Sequence, residues 1–492
     1  MKARKEQTRT VSRRGALTRS VLAVAGIFSG ARALGILCSI VKTKLVSLWL
    51  GAEGVGLFGI YNSTVDTVAT LTGMELRGSS VREVALCRGN REKLALIATV
   101  VRRWSVLAGV LGAVVISAIS PLLSEWFFGT AQRWWEFAIL SGCLLLNAAL
   151  NGEQAVMQGS GAVSDVARAS VWASVAGLAV SVPMYRYLGL NSVMLSLLAY
   201  SAAGLVCTLY YRVRTRRCTV SGREMIHRGG FVKLGICMAA AAFVANVATL
   251  LFLGWLNARS GTAEVGYYQA GNTLVVRYVG LIFGAVAMEF YPRLSANSFS
   301  PKRMSLFVSH EIVLLLLLLC PVTMLFILFR HLIVSLLYAP GFEVIVPMIS
   351  WLIIGSTLRA LSFCMAYCIL ARGDGKTYIM VESLDCCVGL ALNILFYRAL
   401  GLAGIGVAYI AWYAFYSLLT GIVYAKRYRL SLGRKAAGMV VLSIGCGLGA
   451  LAIVELLPAW VGYAVIIPVS MLFAVPVMRL AGRGVNPAAG RR

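Results

Sequence analysis

VGLFGIYN, Val55 to Asn62, returns as VGYYQAGN, Val265 to Asn272, 210 residues further along the chain. QGSGAV (Gln158 to Val163) returns as RGDGKT (Arg372 to Thr377) at an offset of 214, and LGL (Leu188 to Leu190) as LGL (Leu400 to Leu402) at 212. Short glycine-containing strings recur in any apolar protein. Three of them in the same order at nearly one spacing mark an internal repeat, the way many membrane transporters are built, with the substrate site between the halves.

Composition sets the class. Hydrophobic residues make up 59% of the 492 residues and charged residues 13%, against about 45–50% and 25% in a soluble domain. A bilayer-spanning helix needs roughly 20 mostly apolar residues. Read that way, the chain offers 14 spans, near 21–41, 57–76, 104–123, 135–155, 166–187, 192–211, 231–256, 266–291, 312–337, 346–370, 378–397, 403–425, 437–457 and 460–480. The reading is an all-α polytopic membrane protein: a basic N-terminus (1–20), a first lobe of six spans (21–211), a linker (212–230), a second lobe of six (231–425), two accessory spans (426–480) and a tail (481–492). The connections are too short for a soluble catalytic domain, so no enzyme is expected.

The net charge of +27 is segregated rather than spread over a nucleic-acid-binding face. Lys2, Arg4, Lys5, Arg9, Arg13, Arg14 and Arg19 precede the first span. Arg82 to Arg103 hold a second basic cluster, Arg212 to Arg228 a third, and Lys426 to Lys435 a fourth. The alternate loops carry few basic residues, such as Arg133, Arg186, Arg259 and Arg398. This is the positive-inside pattern, and it places both termini in the cytoplasm, with membrane lipids as partners and no nucleic acid. The basic start, the apolar run from Val21 and Ala31-Arg-Ala33 resemble a cleavable signal. The apolar stretch continues to Val41 and the repeat needs this helix, so a retained first span is expected.

Most of the 12 cysteines lie inside spans, Cys87 and Cys218 in cytoplasmic loops, and none in an outer loop, so no disulfide framework is implied. With three histidines, His227, His310 and His331, a zinc site lacks partners. Gly54-Val-Gly56-Leu-Phe-Gly59 matches a dinucleotide fingerprint in letters only, because it joins two spans instead of opening a βαβ unit. No cofactor is expected.

Ionisable residues inside spans are costly and usually face a cavity, a partner or a substrate. They are Arg32, Asp66, Glu153, Arg277, Arg359, Glu382 and Asp385. The repeat sets Asp66 one residue from the counterpart of Arg277. Arg32, Arg277 and Arg359 offer planar donor forks suited to a pyrophosphate. Taken singly, each charge is equally well explained as an ion pair between helices; as a set they favour a charged cleft. Asn62, Asp66 and Thr70 recur every fourth residue on one face of span two, and Gln269, Asn272 and Arg277 repeat the pattern in span eight. Such hydroxyl- and amide-rich faces suit sugars, and interhelical hydrogen bonding is the competing explanation. Asp66, Glu153 and Asp385 are the candidates for coupling to a proton or sodium gradient.

The stretch KTKLVSLWLGAEGVGLFGIYNSTVDTVATLTGMELRGSSVREVA, Lys42 to Ala85, resembles the first two spans of bacterial O-antigen flippases. These are polysaccharide transporters of the multidrug/oligosaccharidyl-lipid/polysaccharide exporter superfamily. Glu264 to Ser295 is a looser echo, and the two-times-six layout carries the likeness from Val21 to Lys426. The resemblance implies two pseudo-symmetric six-helix lobes in a V around a central cationic cavity, onto which Arg32, Arg277 and Arg359 map most naturally. It implies alternating-access transfer of undecaprenyl-pyrophosphate-linked oligosaccharide from the cytoplasmic to the outer leaflet of the inner membrane, and the glycan polymerase machinery as a partner. A lipid II flippase, a multidrug/cation antiporter of the same superfamily and a membrane glycan polymerase or ligase are the rival readings. The short outer loops argue against the last.

Overall fold

A computed structural model describes residues 2–73, 76–87, 89–213, 230–297 and 300–484; side chains are described outside 1–29, 32, 74–77, 88, 214–238, 298–299, 474 and 476–492. Within these residues the chain is helical and has no strand. The helices are α1 (Lys2–Gly73), α2 (Leu76–Leu86), α3 (Arg91–Phe128), α4 (Trp134–Ser160), α5 (Val163–Leu188), α6 (Ser192–Tyr210) and α7 (Gly230–Ser260). They continue as α8 (Thr262–Asn272), α9 (Gly280–Ala296), α10 (Pro301–Leu328), α11 (Arg330–Leu337), α12 (Val346–Ala371), α13 (Gly375–Ile422), α14 (Arg434–Leu456) and α15 (Ala459–Gly484).

Nine helical stretches among the described residues are long and apolar enough to cross a membrane. Three of them, Ala33–Gly73, Val163–Tyr210 and Gly375–Arg427, run to 41, 48 and 53 residues. At about 1.5 Å per residue each can cross a bilayer core of roughly 30 Å twice. Adding α4 and the shorter apolar segment Ala459–Phe473, the fourteen expected spans all find a helix. Loops expected between spans one and two and between eleven and twelve are instead sharp kinks inside α1 and α13, at Gly51 (φ 65°, ψ −160°) and Gly401 (φ 62°, ψ −144°).

The repeat is written in the backbone. All eight positive-φ glycines among the described residues form four pairs: Gly51 with Gly261, Gly129 with Gly341, Gly161 with Gly373, and Gly189 with Gly401. The first pair is offset by 210 and the others by 212. The third pair ends α4 and α12 in one Schellman pattern: Gly161 N–H bonds the Gln158 carbonyl and Ala162 N–H that of Met157, as Gly373 bonds Leu370 and Asp374 bonds Ile369. The string match of QGSGAV with RGDGKT therefore stood two residues out of structural register. A π-helical turn at Thr273–Arg277 adds one residue to span eight relative to the regular α1. Past it the offset becomes 211, and Arg277, the turn's last residue, lies where its counterpart passes from Thr67 to Asp66.

Packing divides the chain into two compact units, Met1–Gly261 and Thr262–Arg492. Helix α7, which the repeat counts with the second half, packs on α1, α2 and α3 of the first unit. Its Asn246 Nδ2 donates to Thr70 Oγ1 (2.8 Å), and its Asn257 amide donates to the Phe127 carbonyl at the end of α3. Packing and repeat register thus divide the chain at different points.

Inside each unit, lipid tails compete equally for apolar side chains, so helices associate through close contact and hydrogen bonds. In the first unit an aliphatic cluster on α2, α3 and α4 includes Val84, Ala98, Val101 and Val156. Gly152 of α4 lies so close to α3 that a Cβ there would stand 2.6 Å from Ser105 Oγ. In the second unit α14 and α15 pack on α10. Arg330, buried at the start of α11, donates to Glu455 of α14 (2.6 Å) and to Ser350 of α12 (3.0 Å), pinning the accessory pair to the core.

Candidate functional site

In the first unit the polar half of α1 crosses the apolar interior because its hydroxyls are satisfied locally. Thr64, Thr67, Thr70 and Thr72 each donate to the carbonyl four residues back, at 2.6–2.9 Å. Their oxygens retain lone pairs for other donors. A cavity of about 420 Å³ opens beside this face. Asp66, Thr70 and Thr72 of α1, Asn147 and Asn151 of α4, and Asn246 of α7 line it. Thr70 accepts from Asn246 while donating to the Asp66 carbonyl. The lining sets one carboxylate, amides and hydroxyls among the apolar Ala69, Ala108, Leu144 and Ala148, a mixture suited to a hydroxylated ligand with C–H faces.

Of the residues singled out on α1, Asp66 and Thr70 enter this cavity and Asn62 is not among its lining. The Asn62 amide donates to the Phe58 carbonyl of its own helix (2.9 Å). The Arg32 side chain lies outside the described residues. Asn147, Asn151 and Asn246 were missed; the signal was present in two asparagines spaced i, i+4 along an otherwise apolar span.

Glu153 is placed elsewhere. Arg102 Nη2 donates to it at 2.9 Å, and Arg212 stands 3.9 Å away. Arg102 also donates to the Val213 carbonyl, so this buried carboxylate ties α3 and α4 to the chain leaving α6. A second buried acid, Glu136, accepts from Tyr61 and from Arg133 (2.7 Å) and joins α1 to the start of α4.

In the second unit Gln269 is buried on α8, Asn272 is half-buried at its end, and Arg277 is exposed at the end of the π turn. Arg359 of α12 donates to the carbonyl of Val276, the neighbour of Arg277, at 3.3 Å, and its guanidinium lies 4.8 Å from the Phe283 ring centre. Two of the three expected cationic residues therefore stand on adjoining segments of one unit. Arg359 also borders a second cavity, of about 240 Å³, with Glu382 and four tyrosines. Glu382 accepts from the Tyr416 hydroxyl, and buried Asp385 from Trp412 Nε1 at 2.7 Å. Among the described residues no group of three or more His, Cys, Asp or Glu is placed to hold a metal.

A family described as polysaccharide biosynthesis protein matches residues 87–347. No curated protein matches the chain. Among solved structures, the lipid II flippase MurJ in an inward closed conformation aligns over 93% of this chain and 99% of its own, with a TM-score of 0.67 at 12% identity. An inward-facing multidrug resistance MATE transporter of the MOP superfamily aligns over 80% and 94%, with a TM-score of 0.65 at 15% identity. A MOP superfamily transporter from Pyrococcus furiosus aligns over 82% and 93%, with a TM-score of 0.55 at 16% identity. These likenesses establish the fold. With more than half of the chain matched by the family, the protein is a multi-pass membrane protein of the polysaccharide biosynthesis family, on the fold of the MOP-superfamily flippases and transporters.

Proposed function

We propose that the protein flips undecaprenyl-pyrophosphate-linked oligosaccharide, an O-antigen-type repeat unit, from the cytoplasmic to the outer leaflet of the bacterial inner membrane. The observation that carries this is the first unit's cavity, where one carboxylate, amides and hydroxyls stand among apolar residues, inside a helical protein of a polysaccharide family. Hydroxyls both donate and accept, and threonine and asparagine answer both needs. Arg277, exposed beside the Val276 carbonyl that half-buried Arg359 binds, provides guanidinium charge for the pyrophosphate, and Arg32 is the candidate donor in the first half. The prenyl chain stays in lipid, and the transfer proceeds by alternating access without covalent chemistry. Asp66 and Asp385 are the carboxylates through which a proton or sodium gradient would couple. Glu153, which ties α3 to α4 through Arg102, is the third candidate. Both termini lie in the cytoplasm, and the glycan polymerase receives the product.

The test is a deletion strain with and without the restored gene, assayed for lipid-linked oligosaccharide, its sidedness and surface glycan. Repeat units trapped on the cytoplasmic leaflet with surface glycan lost is the expected result. Lysis with trapped lipid II would assign the protein to peptidoglycan, the substrate named for the MurJ structure. Normal lipid-linked pools with altered drug sensitivity would assign it to multidrug export.

A further inference from the structure

The cavity of the second unit is small, lined largely by aromatic rings and bordered by charges of both signs. Its volume is about 240 Å³, below the roughly 300–1,000 Å³ of pockets for drug-sized ligands. Phe363, Tyr378, Tyr413 and Tyr416 supply ring surface, and Arg359 and Glu382 supply opposite charges. The rings are buttressed from behind: Phe363 packs edge-on against Phe283 at 5.2 Å between centres, and Trp412 stacks on Tyr413 at 5.4 Å. The guanidinium is held over Phe283 and bonded to the Val276 carbonyl, while the carboxylate takes the Tyr416 hydroxyl. Both side chains are therefore positioned by other groups.

That combination disfavours a ligand carrying charge of one sign only. A phosphate would meet Arg359 but be repelled by Glu382. An organic cation would meet Glu382 and the ring faces but be repelled by Arg359. A neutral polyhydroxylated ring satisfies both, because each hydroxyl accepts from a guanidinium N–H and donates to a carboxylate oxygen. Its C–H faces lie against aromatic surface, as amphipathic ligands do against tyrosine. We infer that the second unit carries a subsite for one neutral sugar ring. This subsite rests on the flippase reading above and adds to it: one residue of the oligosaccharide is held inside the second unit, with Arg359 serving that ring and leaving Arg277 to the pyrophosphate.

The experiment uses the purified full-length protein in lipid nanodiscs. Glucose, galactose, mannose, rhamnose and N-acetylglucosamine are titrated separately by saturation-transfer NMR, with inorganic pyrophosphate and tetramethylammonium as ionic competitors. At least one sugar is expected to bind in the millimolar range, with its signal reduced about tenfold in Arg359→Gln and in Glu382→Gln. Ala366→Phe, which fills the cavity without altering its charges, should lower the signal as far as those two variants do, leaving what the first unit's cavity contributes. Melting temperatures are taken first; if Ala366→Phe does not fold, the near-isosteric Glu382→Gln decides. No transfer to any sugar, transfer unchanged in the decisive variant, or displacement by either ion would overturn the subsite. The deletion-strain assay separates the two proposals. Trapped lipid-linked intermediates with no sugar binding would remove the subsite alone. Sugar binding with normal lipid-linked pools would remove the flippase reading.

Discussion

Gly189 and Gly401, 212 residues apart, hold the same backbone conformation: φ 59°, ψ −142° and φ 62°, ψ −144°. Both occupy a Leu-Gly-Leu corner between two spans, and this corner of dihedral space is almost closed to residues with a Cβ. A Cβ on either glycine would meet nothing within 4 Å, so any penalty is conformational rather than steric. Gly189→Ala and Gly401→Ala should each destabilise by about 1–3 kcal/mol and by similar amounts. Gly449→Ala in α14, also in open space but with ordinary helical dihedrals, should be neutral or stabilising by about 0.5–1 kcal/mol. Thermal unfolding in detergent gives the comparison. A tolerant alanine at either corner would mean that the turn is not held by glycine.

The loop between spans ten and eleven carries a latch centred on Asp374. This carboxylate caps α13 through Thr377 and also accepts from Arg427 Nε (2.9 Å) and the Tyr428 hydroxyl (3.0 Å), tying the start of α13 to the chain just past its end. Partial desolvation pushes its pKa up, but the bonds from Thr377, Tyr428 and Arg427 outweigh it and hold the group below the ordinary 3.8. A depressed folded pKa contributes stability that is fully present above the ordinary value and is lost as pH falls through the folded one. Asp374→Asn should therefore lower the melting temperature at pH 7, and the gap from wild type should close below about pH 4. A gap independent of pH would show that the cap, not the charge, carries the effect.

What could be read in advance followed from period and polarity. Span positions needed only the length of apolar runs, and the repeat needed only glycine strings whose backbone cannot be substituted freely. The first cavity was half legible. The fourfold spacing of Asn62, Asp66 and Thr70 named the right helix face, yet the Asn62 amide is taken by Phe58 of its own helix. Asn246 belongs to the cavity only because α7 packs on α1, and no pattern within either helix encodes that pairing. Likewise Glu153 read as a lone intramembrane acid, because Arg102 lies 51 residues away in sequence.

Arg330 and Glu455 form an ion pair with unequal burial: side-chain exposure is 6% for the arginine and 57% for the glutamate. Removing the arginine leaves a carboxylate at the end of α14 that is already exposed. Removing the glutamate leaves a buried guanidinium bonded only to neutral Ser350 in this cluster. A buried guanidinium left without its carboxylate is costly, and the open side of this pair keeps the loss below the roughly 3–5 kcal/mol of a fully buried one. Glu455→Ala should thus destabilise more than Arg330→Met, which keeps apolar bulk at the buried position. Equal losses in the two variants, read by thermal unfolding, would show that burial does not set the cost.

Asp66 and Glu153 are both carboxylates in spans of the first unit, and their surroundings predict opposite consequences of neutralisation. Glu153 is buried and bonded to Arg102, with Arg212 nearby. Glu153→Gln weakens that pair and should lower stability by about 1–3 kcal/mol, with surface glycan per folded molecule preserved in the complemented deletion strain. Asp66 is exposed to its cavity among amides and hydroxyls. Asp66→Asn keeps the side chain's shape and removes its charge, and surface glycan per folded molecule should fall sharply. The contrast separates structure from transport because the two readouts move in opposite residues. Full glycan restoration by Asp66→Asn would move the substrate or coupling role away from this cavity, and a glycan loss in Glu153→Gln at normal abundance would return Glu153 to the coupling pathway.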